Sequence, residues 1–329
     1  MRNRPERLLP LAIGLAFASC SPPSRQTDAS AGAALNPDAA HAAEIDAWRA
    51  ERDAGLRKPG GWLTLVGLYR LRPGANTAGS SPQNSLVFPD GAPARIGTFT
   101  LDGGEVRFDA EPGVEITQAG KPASTVTLDP LAADGPVLES GPLSFHAIER
   151  AGQIGIRLRD LNSPVLAAFS GMENFPIEPA WRITARFEAH DEPRSIKVPN
   201  IAGAAFDELV HGKLVFEAGG ASHQLDPLYK PEDGFFVVFG DETNGRETYG
   251  GGRFLATDPP AGDGTVILDF NKAYNPPCVF TPYATCPLPP AQNRLPLRIE
   301  AGERMYRGSP AGAHRGIPGG EILHGPRKP

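Results

Sequence analysis

The sequence predicts an all-β fold, mainly an antiparallel β-sandwich or barrel, with one helix near the N-terminus. Apolar and polar residues alternate with a period of two in several segments, which is typical of half-buried antiparallel strands. Glycine (38 residues) and proline (35 residues) are abundant in the 329-residue chain, yet 40% of it is hydrophobic. This composition favours many turns around a substantial core over disorder.

The first 20 residues predict an export signal that ends in a lipidation site. A positively charged start precedes the apolar run Leu8–Ser19, which is too short to span a bilayer. Small residues then lead up to Cys20, and this arrangement resembles the bacterial lipobox. The resemblance implies cleavage before Cys20 and acylation of its thiol. The alternative is an ordinary secretory signal in which the cysteine occurs by chance.

Lipidation of Cys20 predicts an exported protein of the cell envelope with the membrane as a partner. Ser21 after the cysteine fits an outer-membrane anchor on the periplasmic side if the cell is Gram-negative. Residues 21–36 are rich in Ser, Pro, Ala, Gln and Asp, which predicts a flexible tether. Residues 308–329 lack periodicity and predict a disordered tail.

One helix is expected at the start of the folded part. Asn36-Pro37-Asp38 has the N-cap, first-turn proline and acidic residue that begin helices, and Lys58-Pro59-Gly60 ends it. An apolar stripe at three- and four-residue spacing is formed by Ile45, Trp48, Arg52 and Leu56. We expect this helix to pack across a sheet through Trp48.

Strands are expected after the helix. The clearest alternation lies in Glu105–Ala110, Gln153–Arg159 and Trp181–His190. Further strands are predicted at Lys213–Phe216, Phe235–Phe239, Val266–Asp269 and Leu295–Glu300. We divide the folded part into residues 37–176, which contain the helix and a β-sandwich, and residues 177–307, a second β-rich subdomain.

Residues 62 to about 160 resemble the central strands of a forkhead-associated domain, a β-sandwich that binds phosphothreonine. The resemblance depends on the succession of strand-like segments and turns in Leu71–Ser80, Asn84–Pro89 and Ile96–Leu101. Ser80 stands where that family has an arginine, and Arg95-Ile96-Gly97-Thr98 replaces its Ser-x-x-His. The resemblance therefore implies the scaffold and not phosphothreonine binding.

Residues 40–305 resemble a bacterial family catalogued as domain of unknown function 1684. The matching residues are Gly61-Trp62-Leu63, Arg157-Leu158-Arg159-Asp160, Asp241-Glu242-Thr243, Thr248-Tyr249, Arg253-Phe254-Leu255 and the Asp269–Arg294 segment. The resemblance implies a β-rich fold and brings no established activity.

Composition and motifs exclude several classes of function. A net charge of -6 without a basic stripe argues against a nucleic-acid partner. The Gly-x-Ser-x-Gly elbow and the His-Glu-x-x-His zinc helix are absent. The seven histidines have no metal-ligand spacing, so we expect neither a metal nor a cofactor. His146 is notable because it interrupts an apolar strand.

The two late cysteines, Cys278 and Cys286, predict a disulfide bond. Outside the cytoplasm such a pair is most simply oxidised, and closing this short loop contributes roughly 2–3 kcal/mol. A metal site is the alternative, although no histidine lies beside them at ligand spacing.

Two polar loops that follow predicted strands form the candidate site. Asp269 ends one apolar run, and Asp241 follows Phe235–Phe239. The candidate ligand-binding residues are Asp241, Thr243, Tyr249, Arg253, Asp269, Asn271, Tyr274 and Asn275. If both loops meet at one rim, they suit a neutral polyol or a carboxylated ligand. Asp241 and Asp269 are also candidates for a general acid and base.

The same residues have a purely structural alternative. Aspartate and asparagine at strand ends commonly cap turns by bonding nearby backbone N–H groups. Arg253 could pair with Asp241 or Asp269 only to neutralise a buried charge.

The sequence thus favours a non-enzymatic lipoprotein that binds a small polar ligand, a glycan or a partner protein near Asp269 and Arg253. The alternative is an envelope hydrolase that uses Asp241 or Asp269 as general acid or base. The sequence leaves open whether the protein is an enzyme.

Overall fold

Antiparallel β-sheets dominate the computed structural model, which describes residues 37–308 except 133–134, 151, 202 and 230. The signal peptide, the lipidation site at Cys20, the tether at 21–36 and the tail after Gly308 lie outside the described residues. Among the described helices, none combines the length and apolar character needed to cross a membrane.

The predicted N-terminal helix forms, and we name it α1 (Pro37–Arg57). Its proline lies at the first helical position, where the missing N–H costs no hydrogen bond. The buried face carries His41, Ile45 and Leu56, at the spacing that puts residues on one side of a helix. Leu56 packs in a cluster with Phe169 and Phe280, so α1 covers the C-terminal part of the chain.

Residues 65–160 form two facing sheets. The six-stranded sheet has the order β1-β11-β10-β9-β6-β7, and the five-stranded sheet has the order β3-β2-β4-β5-β8. The strands are β1 (Leu65–Arg70), β2 (Gly74–Gly79), β3 (Leu86–Val87), β4 (Gly97–Asp102), β5 (Glu105–Ala110), β6 (Thr117–Gln118), β7 (Lys121–Pro122), β8 (Thr125–Leu128), β9 (Leu138–Ser140), β10 (Leu143–Arg150) and β11 (Gln153–Asp160). Only β2 and β3 pair in parallel among the strands of the described chain.

An aromatic core joins these two sheets. Phe99 on β4 and Phe108 on β5 contact Phe145 on β10, with ring centroids 5.8 and 5.3 Å apart. All three rings are fully buried. Because the alternating residues of both sheets point into one core, this part is a sandwich.

The remainder follows a short helix, α2 (Pro164–Ala168), and contains two smaller sheets. The strands are β12 (Arg182–Pro199), β13 (Ala205–Ala218), β14 (Ala221–Leu225), β15 (Phe235–Phe239), β16 (Arg253–Thr257) and β17 (Thr265–Asp269). The first sheet has the order β14-β13-β12-β17, and β15 pairs with β16. Their shared core includes Phe216, Phe239 and Phe270.

The predicted fold class is confirmed. The strand prediction for Leu295–Glu300 is wrong, because this segment has two bends and no ladder, and the nearest isolated bridge joins Arg294 to Gly240. Within this segment the carbonyl of Ile299 instead accepts a hydrogen bond from Arg253, as described below. Contacts join residues from Pro37 onward into one unit, and the boundary that we placed after residue 176 stays a prediction.

Candidate functional site

Arg253 and Asp241 form a buried ion pair. Arg253 begins β16 opposite Phe239, the last residue of β15, and Asp241 follows two residues later. The guanidinium donates to Asp241 Oδ2 at 2.6 Å, to the Ile299 carbonyl at 2.8 Å and to the Ala301 carbonyl. Both side chains are fully shielded from solvent. Burial lowers the pKa of Arg253, and the adjacent Asp241 opposes that shift.

The second oxygen of Asp241 caps the loop that follows β15. Asp241 Oδ1 accepts hydrogen bonds from the backbone N–H and the hydroxyl of Thr243. The Thr243 hydroxyl also contacts the hydroxyl of Thr248 at 2.7 Å, and both threonines are fully buried. Both oxygens of Asp241 are therefore engaged, and the capping role that the sequence offered as an alternative describes this residue.

Asp269 occupies a separate network at the end of β17. Its Oδ2 lies 2.6 Å from His41 Nε2 of α1 and 3.3 Å from Arg182 Nη1. Its Oδ1 accepts from the backbone N–H and the side-chain amide of Asn271. Asn271 continues the network, because its side chain bonds both the N–H and the carbonyl of Glu178. This cluster attaches α1 to the sheet and leaves Asp269 only 5% exposed.

A third network fixes Asn275. The buried carboxylate of Glu303 accepts from the backbone N–H of Asn275 at 2.7 Å and from Arg52 Nε at 3.0 Å. Arg52 also donates to the Asn275 carbonyl. Burial raises the pKa of Glu303, and the charge of Arg52 opposes that shift. Gly302, with φ +76°, lets the chain approach Ala273 too closely for any side chain.

The two late cysteines are free thiols in the structure, so the predicted disulfide bond is not formed there. The sulfur of Cys286 accepts a hydrogen bond from the backbone N–H of Cys278 at 3.1 Å, and the Cys278 thiol donates to the Tyr249 hydroxyl at 3.6 Å. Both side chains are buried, and burial raises the pKa of Cys286. In the described part of the chain, no three His, Cys, Asp or Glu side chains converge to hold a metal ion.

The predicted residues therefore do not share one open rim. Arg253 pairs with Asp241 and not with Asp269. Four of them are fully buried, namely Thr243, Arg253, Asn271 and Asn275. Tyr274 is the predicted residue that reaches an open space, and that space is a cleft that the sequence did not identify.

The cleft lies between α1 and the β15–β16 pair and has a volume of about 540 Å³. Its lining consists of Trp48, Glu51, Arg52, Trp62, Phe236, Phe254, Ala256, Tyr274 and Pro277. Five of these side chains are aromatic. A volume of this size, lined mainly by aromatic groups with a few polar ones, is typical of small-molecule sites.

Tyr274 and Arg52 form the floor of the cleft. Reciprocal backbone hydrogen bonds of 2.9 Å tie Tyr274 to Phe254, so the position of the ring is fixed by β16. The rings of Phe254 and Trp48 lie 5.8 and 6.3 Å from that of Tyr274. The Arg52 guanidinium lies 4.7 Å above the same ring, and its charge is neutralised by Glu303.

Tyr229, which stacks on the cleft residue Phe236, is held in an uncommon backbone conformation. Tyr229, 59% exposed, stacks on Phe236 with ring centroids 5.5 Å apart. Its φ of +71° is rare for a residue with a side chain. Strain of this kind occurs preferentially at ligand-binding positions. Tyr229 therefore extends the aromatic surface of Phe236 outward.

Sequence comparison finds a family match for part of the chain and no activity. Residues 167–304 match the profile of the family described as "Protein of unknown function (DUF1684)". This match agrees with the resemblance stated from the sequence over residues 167–304, and Gly61–Leu63 and Arg157–Asp160 lie outside it. No curated protein matches the chain.

Solved structures resemble parts of the chain. The solution NMR structure of an uncharacterized protein from Haloarcula marismortui is 32% identical over 42% of this chain and 78% of its own, with a TM-score of 0.36. A crystal structure of a forkhead-associated domain bound to an intracellular domain of another protein is 24% identical over 28% of this chain and 86% of its own, with a TM-score of 0.20. Neither similarity transfers a function.

Proposed function

Residues 167–304 match a family whose description, protein of unknown function DUF1684, names no activity, so we propose the function of this protein from its cleft. The protein binds a glycan, and sugar rings stack on the aromatic walls formed by Trp48, Trp62 and Tyr274. The single observation that carries the proposal is a cleft of about 540 Å³ with five aromatic side chains around it.

The chemistry of the walls supports an amphipathic ligand. Aromatic faces are apolar, whereas the indole N–H and the phenol O–H at their edges form hydrogen bonds. A sugar ring matches this arrangement, because its C–H faces are apolar and its hydroxyls lie around the edge. Glu51 adds an exposed carboxylate that can accept hydrogen bonds from those hydroxyls.

Charge also favours a neutral glycan at this position. The only basic group of the cleft lining is Arg52, and Glu303 accepts a hydrogen bond from its Nε at 3.0 Å. Among the side chains that line the cleft, a strongly anionic ligand would meet Glu51 and no cation other than the paired Arg52.

The hydrolase alternative receives less support. A glycosidase needs two carboxyl groups that flank the bond to be cleaved. Asp241 is bound by Arg253 and Thr243, and Asp269 by His41 and Asn271. Glu51 lines the cleft and is exposed, whereas Glu303 lies behind Arg52, is 1% exposed and is held by Arg52 and Asn275. We therefore propose binding without catalysis.

We further propose that the protein acts in the cell envelope, with acylated Cys20 as its membrane anchor. The support is the sequence alone: the charged start, the short apolar run and the small residues before Cys20. A chain held at a membrane surface by a tether would present the cleft to glycans of the envelope.

Intrinsic tryptophan fluorescence tests the proposal directly. The chain has three tryptophans, of which Trp48 and Trp62 line the cleft, while Trp181 packs against Phe270 at a distance of 6.2 Å. Titration with chitotetraose and, separately, with cellotetraose is expected to change the emission in a saturable manner for at least one of the two oligosaccharides.

Variants assign the signal to the cleft. Trp62→Ala and Tyr274→Ala are expected to weaken binding by at least 10-fold, because a stacked ring contributes on the order of 1.4 kcal/mol or more. Trp181→Phe is the matched control and should retain the wild-type affinity. Equal binding in all variants, or release of reducing ends from either oligosaccharide, would reject the proposal.

A further inference from the structure

The outer face of the six-stranded sheet carries a basic strip. His146 on β10 is paired with Arg157 on β11, which is paired with Leu68 on β1. Arg159 lies two residues further along β11 and therefore on the same face. The opposite face holds Phe145, Ile156 and Leu158 in the sandwich core. His146, Arg157 and Arg159 define the basic strip.

Arg157 is buried without a counter-charge. It is 8% exposed, and its Nε has no hydrogen-bond partner in the described part of the chain. The charges that act on it belong to Arg150 and Arg159, so both are repulsive. Together with burial, they lower the pKa of Arg157 to about 10.

Arg253 is a buried arginine with a structural role, and its contacts can be compared with those of Arg157. The Arg253 guanidinium binds the carboxylate of Asp241 and the carbonyls of Ile299 and Ala301. A buried charge is costly unless it is paired and hydrogen-bonded. Nε is unbonded in Arg253 as well, but the two Nη groups of Arg253 are held by these acceptors, whereas the Arg157 guanidinium makes no hydrogen bond to the described residues.

Trp62 covers the strip from one side. Arg157 and Arg159 lie with their guanidinium carbons 5.6 and 5.8 Å from the Trp62 ring centre. Arg159 also donates to the Gly61 carbonyl at 2.8 Å, so the backbone positions it. Stacked guanidinium groups keep their in-plane N–H donors free for an acceptor at the edge.

The strip stays open to solvent along its other side. His146 and Arg159 are partly exposed, and Arg150 beyond them is exposed. Burial and the charges of Arg157, Arg159 and Arg150 lower the pKa of His146 to about 4, so this imidazole is neutral at pH 7. An anion that entered from this side would meet two guanidinium groups and one imidazole.

We propose that the basic strip binds an oxyanion, either a phosphate or a carboxylate group of a ligand. Arg157 supplies the buried charge, Arg159 supplies a second guanidinium, and His146 donates once it is protonated. The site is distinct from the aromatic cleft and does not depend on the glycan proposal, although Trp62 contacts both.

The titration of His146 is the most direct test. In the full chain, the imidazole C2–H resonance of His146, assigned with His146→Gln, is followed by NMR against pH. Measurements contain inorganic phosphate, trifluoroacetate or chloride at equal ionic strength, because these three stay anionic down to the pH at which His146 titrates. A bound anion is expected to raise the pKa of His146 by about 1 unit relative to chloride, because an opposite charge nearby favours the protonated form.

The phosphate and trifluoroacetate samples distinguish the two kinds of oxyanion. Arg157→Met and the less buried Arg159→Gln are both expected to abolish the shift. Arg107→Gln is the matched control, because Arg107 lies on the exposed face of β5 and pairs with Asp109. The proposal would be overturned if the pKa of His146 were no higher with either oxyanion than in chloride. It would also be overturned if the increase persisted in both Arg157→Met and Arg159→Gln.

Discussion

The guanidinium of Arg253 and the carboxylate of Asp241 lie 2.6 Å apart, and neither side chain has any surface in contact with solvent. The Arg253 guanidinium also donates to the carbonyl groups of Ile299 and Ala301. The pair therefore connects strands β15 and β16 to the segment that contains these two carbonyls.

Removal of one partner should destabilise the protein strongly. For Arg253→Met, we expect a loss of about 3–5 kcal/mol in the free energy of unfolding, because Asp241 is left buried and unpaired. Urea unfolding followed by circular dichroism measures this loss. Arg107→Met, which breaks the exposed pair with Asp109, should cost less than about 1 kcal/mol. A folded Arg253→Met variant with wild-type stability and no glycan binding would instead make Arg253 part of a binding site.

Asp269 should behave as a structural residue. Asp269→Ala removes the acceptor of His41 and Asn271, and we expect it to lower stability by about 2–4 kcal/mol. Oligosaccharide affinity of the folded fraction should not change. Asp207→Ala, which breaks an exposed pair with Lys197, is the control. If Asp269→Ala had wild-type stability but no longer bound the oligosaccharide, Asp269 would instead be a binding residue.

His146 should make stability depend on pH below neutrality. Its pKa is lowered from 6.5 to about 4 in the folded protein. Between these values the unfolded chain binds a proton that the folded chain does not, so stability falls as the pH drops through this window. The slope is at most about 1.4 kcal/mol per pH unit, and partial exposure reduces it. His146→Gln should lack this component in urea unfolding at pH 4–7. Parallel curves for both proteins would contradict the account.

The late cysteines should titrate as buried thiols. In a Cys20→Ser chain, the denatured, unreduced protein should yield the thiols of both Cys278 and Cys286 to Ellman's reagent. The native protein should react at least about 100-fold more slowly than the denatured protein, because the structure must open to expose both sulfurs. An unreduced, denatured sample without titratable thiol would restore the disulfide that the sequence predicted.

Local patterns in the sequence predict much of the fold. The N-terminal signals of α1 begin it at Pro37, and the apolar run Phe235–Phe239 coincides with β15. These features depend on residues a few positions apart. The prediction for Leu295–Glu300 fails because its alternating side chains suit a strand, whereas its Ile299 carbonyl binds Arg253 and its Leu297 carbonyl binds the N–H of Glu242.

The candidate site depends on contacts that no local pattern encodes. His41 and Asp269 are 228 residues apart, and Arg52 meets Glu303 across 251 residues. Asp241 and Asp269 were recognised as residues at strand ends, but their burial follows from these distant partners. A signal for the cleft was present in the stripe of α1, where Trp48 and Arg52 share one face.

The tetrasaccharide titration of the wild-type chain and Trp62→Ala is the most direct test of the aromatic cleft as a glycan site. Saturable quenching of wild-type fluorescence, weakened at least 10-fold in Trp62→Ala and retained in Trp181→Phe, is the result that we expect. Emission that stays unchanged with both oligosaccharides, or that changes equally in all three proteins, would contradict the account.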